Sequence, residues 1–162
     1  MIYFKRNYFL LSLSVLIIGC TPKVFHKQRS ALIVFKTPSF KYADLGFIYE
    51  NSAEMKVELY GSGNALLSLN IDDNRVCFSL FECMESKAFN AKMLNAFYPK
   101  NILNSVFRGK KIFNSKNVMQ EVDGFSQKIV DEKYNINYRV SHKEILFRDT
   151  LNNILIKIKG VE

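Results

Sequence analysis

The sequence predicts a mainly β protein, a curved antiparallel sheet with two to three short helices laid over its concave face. Three observations carry this. Apolar and polar residues alternate with a period of two over most of residues 31–158. Turn-forming residues punctuate that pattern at short intervals, and only between residues 86 and 109 does the spacing of apolar residues change to that of a helix. A strongly twisted antiparallel sheet of roughly nine to eleven strands curls, and amphipathic helices then bury its inner face.

The strands follow in order. Ala31-Leu32-Ile33-Val34-Phe35 is a continuous apolar run, broken by Thr37-Pro38-Ser39, and Leu45-Gly46-Phe47-Ile48-Tyr49 begins the next strand. Met55, Val57 and Leu59 then alternate with Glu54, Lys56 and Glu58, so one face is buried and the other is wet. Gly61-Ser62-Gly63-Asn64 reads as the turn of a hairpin leading to Ala65, Leu67, Leu69 and Ile71 on one face. After Asp72-Asp73-Asn74, Val76, Phe78 and Leu80 form the next member of the meander.

Ser86 is placed to cap a helix carrying Phe89, Met93, Leu94 and Phe97, which Pro99 ends. A second helix begins near Pro99, with Ile102, Leu103, Val106 and Phe107 on one stripe and Gly109 as its stop. Beyond Lys110-Lys111 the strands resume: a weak one around Asn117 to Val122, then Phe125 to Val130. The last three are Tyr134 to Val140, a short strand at Ile145-Leu146-Phe147 after the Ser141-His142-Lys143 turn, and Ile154-Ile156-Ile158 after Asn152-Asn153.

The N-terminus carries a different signal. Lys5 and Arg6 form a positive start, and Phe9 through Ile18 are apolar except for Ser12 and Ser14. That run is far shorter than the ~20 residues a membrane-spanning helix needs. It ends in Leu16-Ile17-Ile18-Gly19-Cys20, which resembles the bacterial lipobox. The resemblance implies removal of residues 1–19 and a covalent diacylglycerol plus an N-acyl chain on Cys20, with no other cofactor. Residues 20–30, with Pro22 and little apolar pattern, are expected to tether the lipidated cysteine to a single domain over residues 31–162. Thr21 after the cysteine, where an aspartate would retain a lipoprotein at the inner membrane, favours the outer membrane, facing the periplasm.

Of three cysteines, Cys20 goes to the lipid and leaves Cys77 and Cys83 in an oxidising compartment. A structural disulfide closing a short loop is favoured over free thiols; the spacing is too wide for a redox CxxC, and no further zinc ligands lie nearby. The formal net charge is +8, of which Lys5 and Arg6 would leave with the leader. A modestly basic surface suits anionic lipid headgroups. No Lys/Arg run exceeds two residues, so nucleic acid is not an expected partner. His26 and His142 lack neighbouring catalytic groups, Asp72-Asp73 is turn chemistry, and GxSxG, HExxH and phosphate-loop motifs are absent from the sequence. The chain is therefore not expected to be an enzyme or to bind a metal.

Candidate inward residues are Met55, Val57, Leu59, Leu67, Leu69, Val76, Phe78, Ile136, Tyr138, Ile156 and Ile158 from the sheet. Phe89, Met93, Leu94, Phe97, Ile102, Leu103, Val106 and Phe107 would face them from the helices. Regular aliphatic stripes of this kind form a filled core; the 14 phenylalanines and the flexible Met55 and Met93 also suit an apolar cavity for an acyl chain.

Three stretches support a second resemblance. Phe97-Tyr98-Pro99-Lys100-Asn101-Ile102-Leu103-Asn104-Ser105-Val106-Phe107-Arg108-Gly109 is an apolar-Pro step into a helix ending in Arg-Gly. Phe125-Ser126-Gln127 is followed by Tyr134-Asn135-Ile136-Asn137-Tyr138, and the chain closes on Ile154-Leu155-Ile156-Lys157-Ile158-Lys159. In this order they resemble the LolA/LolB lipoprotein-localisation family, more specifically its outer-membrane (LolB-like) members. The resemblance implies an open half-barrel closed by helices. It further implies an apolar cavity that receives acylated lipoproteins from a periplasmic carrier, in a protein expected to be monomeric and anchored in membrane lipid. The chain departs from the family in having no tryptophan, in the Cys77/Cys83 pair, and in a turn at 61–64 without an exposed apolar side chain. The alternative expectation is an accessory envelope lipoprotein with a filled core that docks on a larger membrane assembly.

Overall fold

Period-two alternation along the chain becomes one antiparallel sheet in the computed structural model, which describes residues 24–61, 64–78 and 82–161. Cys20, the leader and the first part of the tether lie outside the described residues. Six strands come first: β1 (Lys27–Lys36), β2 (Lys41–Glu50), β3 (Met55–Gly61), β4 (Asn64–Ile71), β5 (Arg75–Phe78) and β6 (Glu82–Glu85). Helices α1 (Ser86–Met93) and α2 (Ile102–Phe107) follow. The remaining strands are β7 (Val118–Glu121), β8 (Gly124–Asp131), β9 (Tyr134–Ser141), β10 (Glu144–Asp149) and β11 (Ile154–Gly160).

The eleven strands are ordered β6-β5-β4-β3-β2-β1-β11-β10-β9-β8-β7. The chain starts at the centre, meanders to one edge, crosses to the opposite edge through the two helices, and meanders back. First and last strands therefore meet in the middle, with Ile33 opposite Ile158 and Phe35 opposite Ile156. Both halves of the sheet touch the same helical crossing, so the sheet curves around it.

The inner face is continuous. Ile33, Phe35, Ile48, Met55, Val57, Leu69, Ile129 and Ile136 are fully buried, as are Phe89, Val106 and Phe107 from the helices. All join one core. At Gly46 on β2 a side chain is excluded: a Cβ would stand 2.3 Å from the Glu58 carbonyl oxygen and 3.1 Å from both Ile33 Cδ1 and Leu59 Cδ2. Gly109 has φ +63°, and the Lys110 N–H donates to the Ser105 carbonyl (2.8 Å) while the Gly109 N–H donates to that of Val106 (3.1 Å). This is a Schellman stop, in the role the sequence assigns to Gly109.

Several boundaries differ from the sequence reading, each for a local reason. The 20–30 tether is shortened, because β1 begins at Lys27 and pairs Lys27 with Glu50 and Ser30 with Phe47; these residues lie at the end of the sheet, where no apolar pattern is required. Ala65 leaves the buried face. A register shift between Leu59 and Tyr60 inserts an extra residue, so Leu59 pairs with Leu67 but Tyr60 with Ala65. Glu85, not Ser86, stands at the N-cap of α1; Ser86 is the first helical residue, and its N–H donates to the Asn74 carbonyl (2.8 Å). Helix α1 also stops at Met93, well before Pro99. The Asn95 side-chain oxygen accepts the Phe97 N–H (2.8 Å) and its amide donates to the Lys133 carbonyl (3.0 Å), turns that a helix cannot keep.

The weak strand near 117–122 is β7. Asp72 makes the expected turn, accepting the N–H groups of Asn74 (2.8 Å) and Arg75 (2.7 Å). Ser62 and Gly63 of the first hairpin turn, and Leu80, lie outside the described residues. Among the described residues no helix is long and apolar enough to cross a membrane.

Candidate functional site

The inward-facing residues come together as expected, with one exception. Met55, Val57, Leu59, Leu67, Leu69, Val76, Ile136, Tyr138, Ile156 and Ile158 of the sheet, and Phe89, Ile102, Leu103, Val106 and Phe107 of the helices, are at most 3% exposed. Phe78, Met93 and Leu94 are partly buried against that core. Phe97 is the exception, 57% exposed, with Lys133 Nζ 3.8 Å above its ring. The unwinding of α1 at Asn95 swings it off the stripe on which a longer helix would have buried it. The interior is filled by these side chains, interleaved with rings: Phe35 lies 6.0 Å from Phe107, and Tyr98 5.9 Å from Phe147.

Cys77 and Cys83 form a disulfide, directly opposite one another across β5 and β6. It pins a short edge hairpin next to the start of α1.

What holds the helical cover down is a set of side chains that sequence reasoning did not single out. On the C-terminal half, buried Asp149 accepts the Tyr98 hydroxyl proton (2.5 Å), the N–H groups of Asn135 and Leu151 (3.0 Å each) and the Asn152 side-chain amide (2.7 Å). Burial, then the adjacent Asp149 carboxylate, pushes the Tyr98 phenol far above its ordinary range. Buried Gln127 accepts the Ile112 N–H (2.8 Å) and donates to the Ile112 and Lys116 carbonyls (3.0 and 2.6 Å). These bonds secure a left-handed turn at Phe113, Asn114 and Ser115, all with φ between 46° and 64°. Tyr138 donates to the Lys110 carbonyl (2.9 Å), and desolvation raises its phenol as well.

On the N-terminal half the links are nearer the surface. Arg108 donates to Glu50 (3.1 Å) and to the Asn51 and Glu54 carbonyls in the β2–β3 turn (2.9 and 3.1 Å). Asn104 donates to Asp73 (3.2 Å) and Lys100 to Asn74 (3.3 Å). From β1, Arg29 Nη2 donates to the Phe107 carbonyl at 2.6 Å. That guanidinium is shifted below its ordinary value by desolvation, which the charge of Glu50 partly offsets.

At this end of the sheet the cover stops at Gly109, which lies against Val140 and Ile145. A cavity of about 550 Å³ remains there. Its accessible lining is mainly polar, with Gln28, Arg29, Arg108, His142, Lys143 and Glu144 around the buried Ala31, Ile145 and Ile158. Arg29, Arg108 and Lys143 outnumber Glu144 there, which suits an anionic group. A second hollow of similar size lies between Arg75, Glu85, Lys87 and Lys100. Sequence reading placed Arg29 in the tether and His142 in a solvated turn, and no local pattern in either stretch marks a shared cavity. Among the described residues no three His, Cys, Asp or Glu side chains converge on a metal position.

No known protein family and no characterised protein matches the sequence. The site therefore rests on its own geometry.

Proposed function

We propose that the chain is a lipid-anchored protein of the bacterial outer membrane, acylated at Cys20, whose curved sheet receives the acyl chains of other lipoproteins beneath its helical cover. The observation that carries this reading is the pairing of a continuous apolar interior with a cover attached by discrete polar links, above a mouth that carries Arg29, Arg108 and Lys143. Acyl chains entering there would displace core side chains and lift the cover. Each buried methylene contributes ~0.8 kcal/mol relative to water, so transfer from one dry site to another avoids a large penalty. The resemblance to the LolA/LolB family supports the same reading, with a periplasmic carrier as donor.

The filled interior favours a second reading, an accessory envelope lipoprotein whose core is structural and whose surface docks on a larger membrane assembly. Native mass spectrometry of the body beginning at Thr21, with a fatty-acylated peptide and a displaceable apolar fluorophore, separates the two. Retained acyl peptide with displacement of the fluorophore supports lipoprotein reception. A folded body that takes up neither leaves the accessory reading. Mass analysis of the N-terminal peptide from membranes tests the anchor, since an unmodified Cys20 removes it from either reading.

A further inference from the structure

The chain enters the sheet at the same end as the mouth. The His26 N–H donates to the Glu50 carbonyl (3.1 Å) and Asn51 donates to that of Val24 (3.0 Å), so the N-terminal segment leaves beside the β2–β3 turn. Val24 is four steps along the chain from Cys20, a reach of at most ~14 Å at ~3.5 Å per step. The opposite end lies a further ten-residue strand away, roughly 33 Å. A lipid at Cys20 would therefore keep the mouth end near its leaflet, although attachment alone would not orient the body.

The side chains at that end supply an orientation. Val122, at the tip of the β7–β8 hairpin, is fully exposed (108%), and Val24 and Val161 are exposed at 60% and 48%. Among the described residues these three valines at one end are solvated. Exposed Lys27 and Lys143, with Arg29 at the rim, add positive charge on this side. The acids of the same end are divided. Glu121 is held by Arg139 (2.7 Å) and Glu144 by Lys157 (3.0 Å), which leaves Asp123 beside Val122. The N-terminal half instead balances Asp72, Asp73 and Glu85 against Arg75, Lys87 and Lys100, with Arg75 3.4 Å from Asp72. Charge complementarity thus selects the part of this end running from β1 to β7.

We infer that this corner, from β1 across β11 to the β7–β8 tip, lies flat on an anionic lipid surface. Val122, Val24 and Val161 sit at the headgroup boundary, and Lys27, Arg29 and Lys143 face the phosphates. The mouth then opens toward the leaflet. The inference takes the anchor from the proposed function and is independent of whether the interior takes up acyl chains.

The chain has no tryptophan, so a single one reports position unambiguously. Full-length protein carrying Val122→Trp, or Leu151→Trp at the opposite end, is reconstituted in vesicles of phosphatidylcholine with and without phosphatidylglycerol, each doped with a brominated lipid. Quenching several-fold stronger for Val122→Trp than for Leu151→Trp in the anionic vesicles is expected. Equal quenching at the two positions, or stronger quenching of Leu151→Trp, overturns the orientation. Adding Lys27→Glu and Lys143→Glu is expected to bring the Val122→Trp signal down toward that of Leu151→Trp; an unchanged signal overturns the electrostatic contact. Unmodified Cys20 with the quenching asymmetry intact removes the anchor and keeps the docking face. Acylated Cys20 with no asymmetry does the reverse.

Discussion

The two halves of the sheet hold the same helical cover in different ways. The C-terminal half uses side chains that are themselves buried: Asp149, Gln127 and Tyr138 are each 1% exposed, and Tyr98 is 4% exposed. The N-terminal half uses Arg108 with Glu50, partly exposed, and the exposed pairs Asn104 with Asp73 and Lys100 with Asn74. A hydrogen bond in a dry site is costly to leave unmade, whereas one at the surface exchanges with water at little loss. The cover would therefore part first from the N-terminal half, where its links are the more exposed.

Substitutions test this asymmetry in descending order of effect. Asp149→Ala strips the acceptor from Tyr98, Asn135, Leu151 and Asn152 together, and is expected to lower the unfolding free energy by about 4 kcal/mol in chemical denaturation. Gln127→Ala leaves the Ile112 N–H and two carbonyls without partners and is expected to cost about 3 kcal/mol, with faster proteolysis between Ile112 and Lys116. Replacing Cys77 and Cys83 together by serine opens a loop of sequence separation 6, for which chain entropy gives about 2 kcal/mol; the loss should fall on the β5–β6 edge. Arg108→Ala is expected to cost only about 1 kcal/mol, yet to raise amide exchange in α2 while that of β8 and β9 is unchanged. If Arg108→Ala proved the most destabilising of the four, the assignment of firm and loose sides would be reversed.

The smallest effect is in acid. For Asp72, burial works to raise the carboxyl, but the Asn74 and Arg75 N–H groups and the Arg75 charge outweigh it and hold it below its ordinary value. Glu58 is held down likewise, burial being outweighed by bonds from Lys56 and Tyr60. A carboxyl lowered on folding stabilises fully above its unfolded pKa, near 4, and the contribution is lost as pH falls through the folded value. Thermal melts should therefore show a modest loss confined to pH below about 4. Glu121 on β7 is held down as well, by Ser126 and then Arg139, so the acid loss falls on both halves.

How much of this was legible in the sequence follows from what each residue answers to. Met55-Val57-Leu59 and Ile154-Ile156-Ile158 alternate because one face is buried along the whole strand, and such strands were readable. Lys27 to Ser30 form strand through backbone pairing at the end of the sheet, where side chains carry no pattern, so they looked like tether. Glu82 to Glu85 are strand because Cys83 is fixed opposite Cys77. Phe97 sits at the spacing of a core residue, but Asn95 turns the chain before it. The interior was visible as apolar stripes, whereas the links above it were not: Asp149 and Gln127 are polar residues whose partners lie in distant segments, and only the fold brings them together. The mouth is invisible for the same reason, since Arg29 and Lys143 are far apart in sequence and adjacent in space.

The meeting of β1 and β11 at the centre of the sheet also bears on how the protein is made. Ala31 faces Gly160, so the central seam joins nearly the whole length of the chain. Long-range pairing of this kind forms slowly, because loop closure precedes any gain from contact. Until the last strand is synthesised, β1 has β2 on one side and a bare edge on the other. The β1 edge therefore stays unpaired until β11 has been made, and the sheet closes across its centre as one late step.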